Sequence, residues 1–158
     1  MKIEGNQELH LPRERIYALL TNPEVLRRCI PGCESLEEVG DSAYAATMRA
    51  GVGAIKGNFK GSVRLEDMRP PEHYRIAVEA KGGPGFVKGS GDFDLEKKNG
   101  GTLIRYAGEM QVGGIIAGVG QRMIEAAAKM MAAKFFAALE IEAKDSAEQN
   151  AETDSSVS

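Results

Sequence analysis

The stretch TLIRYAGEMQVGGIIAGVGQRMIEAAAKMMAAKFFAALEIEA, residues 102–143, decides the fold, because the period of its apolar residues changes partway along. Up to Val112 they recur at every second position. Ile104, Tyr106, Met110 and Val112 stand in register, as in a strand with one buried face. Gly113-Gly114 ends that pattern. From Ile115 to about Ala143 the apolar positions take a helical spacing through Ile116, Val119, Met123, Ala127, Met130, Met131, Phe135 and Leu139. Arg122, Glu125, Lys129 and Glu140 fill the other side. The spacing predicts an amphipathic helix of about 40 Å at a rise of ~1.5 Å per residue.

Upstream of this junction the period of two prevails. Strands are expected at Ser35–Val39, Ala43–Gly51, Asn58–Met68, Tyr74–Ala80, Phe86–Lys97 and Thr102–Val112, after a first strand at Lys2–His10. Pro70-Pro71, Gly82-Gly83-Pro84-Gly85 and Asn99-Gly100 mark turns between them. Two short helices are expected behind the first strand. Pro12 opens Arg13–Leu20, and Asn22 caps Glu24–Cys29 with Pro23 at the first helical position. Consecutive strands joined by turns pair antiparallel, and a sheet of six to seven such strands must bury one face. The terminal helix is the one element long enough to cover it. The expected class is α+β with a helix-grip architecture, a curved antiparallel sheet wrapped on a long C-terminal helix.

Length and composition set the outer limits. At 158 residues, with 42% hydrophobic and 27% charged, the chain suits one globular domain without disulfides. The net charge of −3 sits in the last sixteen residues, where Lys144 faces Asp145, Glu148, Glu152 and Asp154. Removing that one cation and those four acids from the chain's 20 and 23 leaves 19 of each, so the body is neutral. A neutral body without a basic cluster excludes nucleic acid as the expected partner. The division expected is a domain over 1–142 and a disordered acidic tail over 143–158. With no signal peptide and no apolar run of spanning length, a cytoplasmic location is expected.

The chemistry-bearing residues do not form a known machine. His10 and His73 both adjoin turns and are expected at the surface. No pair has metal-ligand spacing, so no metal and no cofactor are expected. Cys29 and Cys33 flank Pro31-Gly32 and are not a redox Cys-x-x-Cys; they read as reduced, structural thiols. Gly89-Ser90-Gly91 lies within a strand pattern and is no nucleophile elbow. Gly113-Gly114 through Gly118 and Gly120 lacks the lysine and hydroxyl of a phosphate loop; it suits a close approach of helix to sheet or a flexible pocket entry. Ser90, Asp92 and Asp94 share one strand face, expected to be a solvated outer surface.

What stands out is how little volume the inward positions carry. Ala46, Ala50, Gly61, Gly89, Gly91 and Ala127 are small, and methionines 110, 123, 130 and 131 are flexible. Such positions pack an ordinary core or line an apolar pocket. The lining expected for a pocket is Phe59, Val63, Tyr74, Phe86, Phe93, Tyr106, Met110, Met123, Ala127, Met130, Met131 and Phe135.

Several phrases together resemble the G-subunit family of carbon monoxide dehydrogenase, within the START-like, helix-grip superfamily. They are Leu11–Leu20, Thr21-Asn22-Pro23-Glu24-Val25-Leu26, Cys29-Ile30-Pro31-Gly32-Cys33-Glu34, Ile55–Gly61, Pro70–Tyr74, Gly85–Gly89, Gln111–Gly114 and Phe135–Leu139. The family motif carried here is Ile30, Pro31, Gly32 and Cys33. The resemblance covers about residues 1–142. It implies a deep apolar pocket, no cofactor, and a non-catalytic accessory role beside a molybdenum hydroxylase. It also implies coupling or recruitment of that enzyme to the membrane, with peripheral contact at the inner membrane face. The ligand expected is a lipid or a quinone. Some members carry a membrane-binding C-terminal extension, whereas this tail is short, acidic and hydrophilic.

Two other readings stay open. One is an enzyme resembling a polyketide cyclase or aromatase, using Tyr44, Tyr74, Tyr106, Arg105 and Glu109 inside the cavity. The other is an interaction module with a full core and a working surface.

Overall fold

The computed structural model describes the backbone of residues 1–52 and 55–157 and the side chains of residues 1–49 and 56–145. Strand β1 (Lys2–Leu9) is followed by helices α1 (Arg13–Leu20) and α2 (Pro23–Cys29). Strands β2 (Cys33–Gly40), β3 (Ala43–Val52), β4 (Ile55–Arg69), β5 (His73–Gly82), β6 (Gly85–Lys98) and β7 (Gly101–Gly113) come next. A 3-10 turn (Ile115–Val119) leads into helix α3 (Gln121–Val157). All neighbouring strands are antiparallel in one sheet, ordered β1-β7-β6-β5-β4-β3-β2. This is the helix-grip architecture that the apolar periods predict.

Local chemistry sets the helix starts. Asn22 Oδ1 accepts from the Glu24 amide at 2.9 Å, and Pro23 occupies the first turn where its missing N–H costs nothing. The expected single helix from Ile115 is corrected. Gly120, at φ 94, separates the 3-10 turn from α3, so the long helix starts at Gln121. Gly114 sits at φ 80, and a Cβ there would lie 2.7 Å from the Gly85 Cα. The glycine pair therefore serves close approach of the 3-10 turn to the sheet, which the bond from the Ile116 amide to the Pro84 carbonyl at 2.8 Å secures.

At its far end α3 passes the expected boundary at 142. Ala143 is buried in the core, and the helical backbone runs on through Val157. The acidic side chains expected in the tail lie, from residue 146, outside the described side chains.

The core is not centred in the molecule. Ile16, Leu20, Leu26, Ile104 and Leu139 are fully buried, and all belong to the end where α1, α2 and the second half of α3 meet the sheet. Arg28 and Glu142 clamp α2 to α3 with contacts of 2.6 and 3.0 Å. The first half of α3 is different: Met123 and Met130 are exposed, and Ile124, Ala127, Ala128 and Met131 only partly buried.

This asymmetry has a measurable consequence. Leu139→Ala leaves a cavity in packed surroundings and should cost about 2–5 kcal/mol. Met131→Ala removes a side chain with little behind it and should cost no more than about 1 kcal/mol. Urea unfolding of the two variants checks the contrast.

Candidate apolar site

Three cross-strand rows on the inward face define the site. The first is aromatic: Tyr74 faces Phe93, and Phe93 faces Tyr106. Their rings stack at 4.9 and 5.9 Å, Tyr17 of α1 meets Tyr74 edge-on at 5.8 Å, and Phe136 of α3 stacks on Tyr106 at 5.2 Å. Gly5 lies opposite Tyr106 and leaves room for its ring. The column thus runs from α1 across the sheet to α3 and forms a wall. The packed core fills the space on the side of α1 and α2.

On the other side of this wall the rows are thin. Ile76 faces Gly91, which faces Gly108. Val78 faces Gly89, which faces Met110. None of these six residues is fully buried although all face the helix. A Cβ at Gly108 would lie 2.4 Å from the Ser90 carbonyl oxygen and one at Gly89 2.9 Å from that of Glu109, so these glycines let the strands approach closely and leave the face bare of side chains. The inner face is therefore only partly covered here. At its rim lies a recess of about 510 Å³, lined by Met1, Phe86, Met110, Gln111, Val112, Ala117, Gln121 and Ile124. The recess is an open depression in the surface rather than an enclosed cavity. A larger recess of about 650 Å³ is lined by Glu4, Glu8, Asp94, Lys98 and Arg105 among others, and those charges disfavour an apolar occupant.

The residues expected to line a pocket separate into groups. Phe86 and Met110 border the recess. Phe93, Tyr106, Ala127, Met131 and Phe135 are partly buried along the wall and the inner side of α3. Phe59, Val63 and Tyr74 are buried, at 6%, 6% and 1% exposure. Met123 and Met130 stand about half exposed on the side of α3 that also carries exposed Ala126, Ala133 and Ala137. Ala50 lies outside the described side chains. Nothing in the sequence pattern marks Met1, Ala117, Gln121 or Ile124 as lining residues. The Met1 amine donates to the Met110 carbonyl at 3.0 Å, a pairing that only the β1–β7 register produces.

The Ile-Pro-Gly-Cys motif turns α2 into the sheet edge. Gly32 takes φ 75, and its carbonyl accepts from the Arg49 amide at 2.8 Å. Ile30 packs on the core, and the Cys33 thiol donates to the Ser35 carbonyl at 3.4 Å. Burial pushes the Cys29 thiol up to about 11, and Cys33 is raised by the same cause.

His73 is a correction to its expected surface placement. It is 9% exposed, with Nδ1 2.9 Å from Asp94 and Nε2 3.1 Å from Asp67 and 3.6 Å from Asp92. Its carbonyl accepts from the buried Tyr17 hydroxyl at 3.0 Å. The register that sets His73 opposite Asp94 carries this cluster on the outer face, away from the recess. Arg105 and Glu109 are also exposed on that face, with Arg105 3.3 Å from Glu96. Of the five groups named for an acid–base role, only the three tyrosines face inward. Burial raises the Tyr74 phenol far above its usual range, so it stays protonated. Among the described residues no His, Cys, Asp and Glu group forms a metal-holding cluster, and no helix is long and apolar enough to cross a membrane.

Residues 5–144 match the family model for the G subunit of carbon monoxide dehydrogenase (CoxG). A conserved protein from Geobacillus kaustophilus is similar in structure, with a TM-score of 0.90 and 35% identity over 92% of this chain and 97% of that one. A START superfamily protein from Mycobacterium smegmatis shares the fold at a TM-score of 0.69 and 14% identity, over 91% and 97% of the two chains. A protein from Rhizobium leguminosarum does so at 0.67 and 14%, over 89% and 92%. No curated protein matches the chain.

The thiols give a direct check on the packed end. At pH 8 a thiol titrating near 11 is only about 0.1% thiolate, so Cys29 should resist DTNB until the protein unfolds. Because its folded value lies above the ordinary 9.0, the native state holds the proton longer than the unfolded chain does. The stability this contributes is full below pH 9 and lost as pH rises towards 11, which urea titrations across that window should record.

Proposed function

The chain belongs to the CoxG family of carbon monoxide dehydrogenase, and from that premise we propose that it is a non-catalytic accessory protein that carries an apolar molecule between its sheet and α3. The observation that carries this reading is the unfilled inner face beyond the aromatic wall. There glycines 89, 91 and 108 leave the face bare of side chains, and the apolar neighbours Ile76, Val78 and Met110 stay partly exposed. Exposed apolar surface costs about 25 cal/mol per Å², so an occupant of matching polarity gains what the fold leaves unused.

The ligand class that suits the space is a lipid or an isoprenoid quinone. A quinone links the reading to the family's redox setting. A molybdenum hydroxylase of the carbon monoxide dehydrogenase type must pass its electrons on, and a small carrier presenting a quinone would couple that enzyme to the membrane. The lining supports carriage over chemistry. Among the described residues no carboxylate, imidazole or thiol lines the recess, and the Met1 amine there is bound to the Met110 carbonyl, so a cyclase-like reaction has no acid–base pair there.

Native mass spectrometry with solvent extraction tests the proposal. The purified protein should hold one lipid or quinone, and the emptied protein should take up menadione. Val78→Trp puts an indole over Gly89 and should weaken menadione binding at least about tenfold while circular dichroism stays unchanged. Protein that neither carries an extractable apolar molecule nor binds menadione would remove the proposal.

A further inference from the structure

We infer that α3 pairs antiparallel with the α3 of a second copy of this chain, through the side of the helix turned away from the core. The inference goes beyond carriage and does not depend on it. Met123, Ala126, Met130, Ala133, Ala137 and Ile141 are all exposed, and they follow one another at steps of three, four, three, four and four residues. At about 100° per residue such steps keep to one face of a helix. Met123, Met130 and Ile141 are three of the seven large apolar side chains exposed among the described residues, so that exposure is concentrated on this face. Phe136, Leu139 and Ala143 bury the opposite side of the same helix. Among the described residues nothing of the domain covers the stripe, and none of its six residues lines the recess.

A second copy is the occupant because the helix complements itself in both shape and charge. The spacing is that of a helix-pair seam, where each side chain enters a gap on the facing helix. A two-fold axis between Met131 and Ala132 sets Met130 of each copy against Ala133 of the other, and Ala126 against Ala137, so the larger side chain meets the smaller at the centre. Such an isologous contact closes on itself as a dimer. Charge fixes the direction. Residues 121–139 hold the cations Arg122, Lys129 and Lys134 and one acid, Glu125. Residues 140–154 hold six acids, Glu140, Glu142, Asp145, Glu148, Glu152 and Asp154, and one cation, Lys144. Antiparallel pairing brings each stretch against its opposite, whereas parallel pairing sets like against like. Glu142 is already held by Arg28, but Arg122 and Glu140 have no ion pair among the described residues. They stand 18 residues apart, about five turns, and so on one side of the helix. The two-fold axis places Arg122 of one copy within one residue of Glu140 of the other along the helix, twice over.

Sedimentation velocity of the full chain, with circular dichroism alongside, tests the inference. The wild type should sediment as a dimer of twice 17.0 kDa. Ala133→Glu places a carboxylate at an exposed position in mid-seam and should weaken association at least about tenfold with the helix content of the wild type. Arg122→Glu and Glu140→Arg should each weaken it, and Arg122→Glu/Glu140→Arg should restore it, because both copies exchange signs together. Menadione binding should be the same in Ala133→Glu as in the wild type, since Ala133 does not line the recess, so the dimer and the carrier reading fail separately. A wild type that stays monomeric at ~100 μM, leaving the stripe to a lipid surface or another protein, would overturn the dimer. Undiminished association of Ala133→Glu would overturn the seam, and the lack of rescue in the double charge exchange would overturn the antiparallel direction.

Discussion

The stack of Tyr17, Tyr74, Phe93, Tyr106 and Phe136 is the constraint on which the rest of the structure turns. Each ring comes from a different element, so the column ties α1, three strands and α3 at one level of the molecule. Each offset or edge-on pair contributes about 0.5–1.5 kcal/mol beyond the area it buries. Its larger effect is geometric. Phe136, Leu139 and Ala143 hold the middle of α3 against the wall and the core behind it, and the turns before them are only partly buried.

Function follows from what is on each side of the wall. The packed side contains the family's Ile-Pro-Gly-Cys turn, whose role here is to join α2 to the sheet edge. Among the described residues the recess on the open side has the Met1 amine, bound to the Met110 carbonyl, as its ionisable group. The ionisable clusters, His73 with its three aspartates among them, lie on the outer face, where they brace the β4–β5 turn against α1 through the Tyr17 bond.

Much of the fold was legible in the sequence because it is written locally. The switch of period at Gly113-Gly114, the Asn22-Pro23 start and the Asn99-Gly100 turn each act over a few residues, and the observed elements begin and end within a few positions of them. Gly120 was hidden inside a helical spacing, since Ile115, Ile116 and Val119 fit an α-helix as well as a 3-10 turn. The burial of His73 depends on register between strands, which no single strand reveals. The strand alternation places Tyr74, Phe93, Tyr106 and Met110 on one face, as the register has them, while Phe86 falls on the other. The wall that divides the candidate lining was not legible, because Tyr74, Phe93 and Tyr106 are far apart in sequence and meet only across three strands.

Carriage requires that the space beyond the aromatic wall be open to an apolar guest. Methyl-labelled NMR of the intact chain with menadione measures this most directly. Intermolecular contacts should appear at the methyls of Ile76, Val78, Met110 and Ile124 and be absent at Ile104 and Leu139. Contacts scattered over the outer surface, or none at the first four residues under conditions where the ligand is dissolved and the protein folded, would contradict it.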